Sequence, residues 1–144
     1  MKFTAIKPHD KKLVLIETDS LSVAEASVGL VSTKVDHGVL WRKEEIGVGL
    51  GYVMYEYALF VPTDQQKYAS VFGKLIAGNC IVYAFNEIGD TIPVSEDMIS
   101  EKDIRWLPTL WDVEMAIAHR RVTRPILAVN GEVIWRFPEP REYK

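Results

Sequence analysis

Residues 125 to 137, PILAVNGEVIWRF, set two β-prone runs on either side of Asn130-Gly131. That dipeptide readily takes the two positive φ angles of a type I′ turn, so the segment reads as a β-hairpin. Run, turn and run recur elsewhere. FTAI (3 to 6) and KLVLIET (12 to 18) flank Pro8-His9-Asp10-Lys11, and CIVYAF (80 to 85) and TIPV (91 to 94) flank Asn86-Glu87-Ile88-Gly89-Asp90, with Pro93 marking an edge. A chain written in hairpins folds into antiparallel sheet.

Helix signals are fewer and short. Asp19 and Ser20 can cap a helix to about Val28, which Gly29 ends. Thr63-x-x-Gln66 has the form of a capping box and predicts a helix from Asp64 to about Phe72, while Thr109 caps one from Leu110 to about Arg120. TKVDHGVLWR (33 to 42) reads as an extended segment with a bulge or bend at Gly38. KEE and GVGLG (43 to 51) read as a loop before an apolar strand at 52 to 61, and 95 to 108 reads as a long surface loop. The expected fold class is α+β: a single domain over 1–137, mainly antiparallel sheet built from hairpins with two or three short helices packed on it. An exposed tail follows over 138–144.

A chain of 144 residues with five Phe, six Tyr and four Trp can build one core without metal or disulfide. Cys80 is the only cysteine, so no internal disulfide or thiolate zinc cluster is expected, and burial as a small apolar residue is. The formal net charge of −3 argues against a general basic field, so nonspecific nucleic-acid binding is not expected. No apolar run reaches membrane-spanning length, and a soluble intracellular protein is the expectation.

Few residues offer chemistry. Glu56 interrupts a strand that is apolar on both faces, so it is expected to be buried and held by an arginine, a tyrosine hydroxyl or backbone N–H groups, with a general-base role as the alternative. Glycines 47, 49 and 51 precede a strand rather than a helix, which removes the helix terminus that a phosphate-binding loop needs. His9, His37 and His119 lie too far apart for a metal motif, so no metal or cofactor is expected. His119, Arg120, Arg121 and Arg124 form the densest basic cluster. They complement the C-terminal end of the last helix or bind an anion or an acidic partner. Core packing is the default for Trp106 and Trp111, and the alternative is a second surface with one as core and the other as an exposed anchor.

The start KFTAIKP (2 to 8), VDHG (35 to 38), the aromatic strand bearing Glu56, and AGN (77 to 79) before a hairpin resemble a group of small proteins of unknown function encoded by tailed phages and prophages. The resemblance implies an accessory protein working in the host cytoplasm; it brings no activity and no site residue. The leading expectation is a non-enzymatic phage or mobile-element protein that binds a host protein and counteracts host defence. The alternative is a binding protein that sequesters an anionic metabolite or nucleotide through Arg120, Arg121 and Arg124. A hydrolase using Glu56 is the third, and a homo-oligomer stays open.

Overall fold

The computed structural model describes residues 1–30, 35–55 and 67–119, and the paired strands 126–129 and 132–136. The fold is α+β, mostly antiparallel sheet with two short helices. The opening hairpin joins β1 (Lys2–Lys7) to β2 (Lys12–Glu17) in the register Lys7↔Lys12 to Lys2↔Glu17. Its turn closes through the Asp10 N–H to the Lys7 carbonyl at 3.1 Å, and Lys11 takes a positive φ of 51°. Helix α1 (Leu21–Ser27) starts where Ser20 Oγ accepts the Val23 N–H at 3.3 Å, and Gly29 leaves it at φ 81°.

The next strands are β3 (Val35–Lys43), β4 (Val48–Tyr55), β5 (Tyr68–Val71), β6 (Lys74–Ala77) and β7 (Cys80–Asn86). They are followed by β8 (Thr91–Ile92), β9 (Ile104–Leu107), α2 (Leu110–Ala118), β10 (Ile126–Val129) and β11 (Glu132–Arg136). A six-stranded antiparallel sheet has the order β2-β1-β7-β4-β3, with β8 beside the far end of β7. A three-stranded sheet, β6-β5-β9, forms a second layer, and β10-β11 is a separate pair, so the single sheet expected from the hairpin pattern is divided in three. β10 and β11 pair by themselves with Val129 opposite Glu132, as the Asn130-Gly131 signal requires, although the two turn residues lie outside the described set.

The core lies on both faces of the large sheet. On one face Ile6, Leu50, Tyr52, Met54, Cys80 and Val82 meet Ala69, Val71 and Ile76 of the second sheet. On the other, Phe3, Ala5, Val53 and Ile81 meet Ala24 of α1 and Leu30. A sheet covered on both faces has apolar residues at successive positions, which is why β1 and β7 read as continuous apolar runs. Asn79, just before β7, ties the sheet to α1, its Nδ2 donating to the Val28 carbonyl at 3.1 Å.

Four local expectations are corrected. The expected helix at 64 to 72 is instead, within the described residues, strand β5, whose four residues are all buried between β6 and β9. Phe72 and Gly73 then close a tight hairpin with φ 49° and 80°. The Thr63-x-x-Gln66 motif lies outside the described residues; the pairing of β5 with distant strands overrides any helical preference at 68 to 71. GVGLG is not a loop: Gly47 ends a short 3-10 turn (Glu44–Ile46), and β4 begins at Val48. Gly38 is no bulge, because it pairs with Tyr52, and the irregularity falls between Val39 and Trp41. The segment 95 to 108 is not one long loop, since Ile99 and Ile104 are buried and β9 pairs with β5. Among the described residues, no helix is long and apolar enough to cross a membrane.

Candidate ligand-binding cleft

Strand β4 alternates in a way that builds a site. Leu50, Tyr52 and Met54 point into the core between the sheets, and Gly49 and Gly51 fall on the opposite face. There Phe85 stands across from Gly49 and Tyr83 across from Gly51. A Cβ at Gly51 would lie 2.3 Å from Tyr83 Cζ, and one at Gly49 would lie 2.5 Å from Phe85 Cζ. Both rings therefore lie over the β4 backbone, with centroids 6.2 Å apart. Aromatic rings that cover strand glycines replace the packing that glycine lacks.

Phe85 reaches over Gly49 toward β3, where Arg42 pairs with that same glycine. The Arg42 guanidinium carbon sits 5.4 Å from the centre of the Phe85 ring. Next along β3, the Lys43 ammonium lies 5.4 Å from the Trp41 ring. Each cation is thus steadied by an aromatic face, an arrangement worth about 0.5–1 kcal/mol at exposed sites.

Two turns finish the site. The 3-10 turn after β3 ends at Gly47, with φ 63°. The turn after β7 is organised by Asn86, whose Oδ1 accepts the Ile88 N–H at 3.2 Å and the Asp90 N–H at 2.9 Å. The turns meet where the Glu87 carboxylate packs against Gly47, its carbon 3.3 Å from where a Cβ would be. Between them opens a cleft of about 350 Å³, lined by Arg42, Lys43 and Gly47 from the first hairpin and by Phe85, Asn86 and Glu87 from the second. Ile46 and Ile88 stand at the tips of the two turns, 66% and 78% exposed.

Farther along the same face, Glu25 of α1, His37 of β3 and Tyr83 interact. Burial pushes the Glu25 carboxyl above its ordinary range while His37 opposes the shift. Burial, and then the Glu25 charge, push the Tyr83 hydroxyl up.

Of the residues singled out from sequence, Glu56, Arg120, Arg121 and Arg124 lie outside the described residues. His119 is exposed at the end of α2, its N–H donating to the Met115 carbonyl at 3.0 Å. Trp106, on β9, is partly buried and packs on the main core, while Trp111 is the exposed indole. Cys80 is buried, with Sγ 3.7 Å from the Ile81 carbonyl oxygen. No three His, Cys, Asp or Glu side chains among the described residues converge as metal ligands would. Sequence reasoning missed Arg42, Lys43, Phe85 and Glu87. The available signal was the period-two spacing of glycines 47, 49 and 51 facing the Tyr83-x-Phe85 run, which marks a strand with rings folded over it.

Compared with protein-family models, curated proteins and solved structures, the chain matches none.

Proposed function

We propose that this is a binding protein that holds an anionic, ring-bearing small molecule of the nucleotide class in the cleft between the β3–β4 and β7–β8 turns. The observation that carries the reading is the Arg42 guanidinium held against Phe85 beside Lys43, at the wall of a cleft large enough for a mononucleotide. A guanidinium backed by an aromatic ring offers a flat surface on which a base stacks, and it also binds phosphate oxygens through paired N–H groups. Lys43, which also lines the cleft, adds to its positive charge. The anionic ligand of the alternative sequence reading thereby gains a second candidate address, apart from the arginines at 120 to 124. The resemblance to phage proteins supports a role in the host cytoplasm in which the chain withdraws its ligand and so counters a host response.

The test is a titration of the four ribonucleoside monophosphates, followed by quenching of tryptophan fluorescence, for wild type and for Arg42→Ala with Lys43→Ala. Saturable binding is expected in wild type, with affinity lowered about tenfold or more in the double variant, because hydrogen bonds to charged groups contribute about 1.5–3 kcal/mol each. Equal affinity in the two proteins would move the site elsewhere.

A second reading, capture of a host protein, is favoured by Ile46 and Ile88. Two exposed isoleucines flanking a cleft suit the rim of a protein contact.

A further inference from the structure

We infer that the cleft selects guanine, and that Glu87 is the residue that reads the base; the inference rests on the cleft being the nucleotide site. Among the described residues, Glu87 is the one carboxylate lining the cleft, which it shares with the cations that would take the phosphate. A carboxylate only accepts hydrogen bonds, with two oxygens side by side. Of the four bases, guanine alone presents two neighbouring donors on its pairing edge, the ring N1–H and the exocyclic amino group. Adenine and cytosine each set one amino donor beside a ring acceptor, and uracil sets its one N–H between two carbonyls, so each turns at least one lone pair toward the carboxylate. Discrimination of this kind is worth about 1–3 kcal/mol for a good two-point contact.

The surroundings hold Glu87 for this task. Asn86 pins the turn that carries it through the Ile88 and Asp90 N–H groups. Gly47 leaves the space into which the carboxylate packs; a side chain there would meet Glu87 Cδ and Oε2 at 3.3 Å, on a backbone with φ 63°. The glycine thus acts as a positioning residue for the carboxylate. The charge arrangement also orients the ligand, because a phosphate placed against Glu87 is repelled and one placed against Lys43 and Arg42 is not.

Isothermal titration of GMP, AMP, CMP and UMP into wild type and Glu87→Gln tests the assignment. GMP is expected to bind wild type about tenfold or more tighter than AMP. Glu87→Gln should erase the preference, so that it binds GMP and AMP alike. A GMP preference that survives the substitution, or equal binding of all four nucleotides to wild type, overturns the inference and leaves the cleft reading standing. Binding of none of them overturns both.

Discussion

Gly51→Val is expected to destabilise the protein by about 1–3 kcal/mol, the range for forcing extra atoms into a packed site. On propensity alone the substitution should stabilise, since valine suits a central strand and glycine weakens one. The structure reverses that sign. A Cβ at position 51 would lie 2.3 Å from Tyr83 Cζ and 2.5 Å from its hydroxyl oxygen, so the ring must leave its place over β4. The clash depends on one neighbour, and removing that neighbour should remove it. In urea denaturation, Gly51→Val should lower the midpoint in the wild-type background and cost little in a Tyr83→Ala background. A coupling of at least about 1 kcal/mol between the two sites is expected. A valine that raises the midpoint would mean that Tyr83 does not lie across the strand.

The largest single loss is expected at Phe3→Ala, about 3–5 kcal/mol, which is a substantial part of the 5–15 kcal/mol typical of a whole protein. Phe3 is 0% exposed, enclosed by β1, β7 and the α1 layer. Truncation removes its transfer energy and leaves a cavity between rigid layers that cannot close over it. Leu15 provides the control. It sits on the neighbouring strand yet is 58% exposed, so Leu15→Ala should change stability by no more than about 0.5 kcal/mol. Similar losses at the two positions would mean that α1 does not cover that face of the sheet.

Features written in a few adjacent residues are legible in the sequence alone. The Pro8-His9-Asp10-Lys11 turn, the Ser20 cap, the Asn86 turn and the strands either side of Asn130-Gly131 all form where the local chemistry puts them. Thr109 belongs with them: its Oγ1 accepts the Asp112 N–H at 3.2 Å and opens α2. Features held by partners far away in sequence are not legible in this way. β5 becomes a strand because β6 and β9 pair with it on either side, and nothing within 68 to 71 announces β9. GVGLG has the composition of a loop, and it becomes a strand because Tyr83 and Phe85 lie on it.

The candidate cleft is hidden for the same reason. It is made by two turns of different hairpins, and the contact between Gly47 and Glu87 exists only after β4 and β7 pair. The basic residues at 119 to 124 stand out in the sequence because they are consecutive or nearly so. Arg42 and Lys43 do not, as a strand end beside two glutamates reads as an ordinary polar turn.

The most direct measurement is a two-dimensional amide NMR spectrum of the labelled protein recorded during titration with GMP. Saturable shifts are expected in two separate stretches at once, residues 42 to 48 and 85 to 89, because the two turns share one cleft. Unmoved amides in both stretches, or shifts concentrated instead around His119 at the end of α2, would contradict the placement of the site.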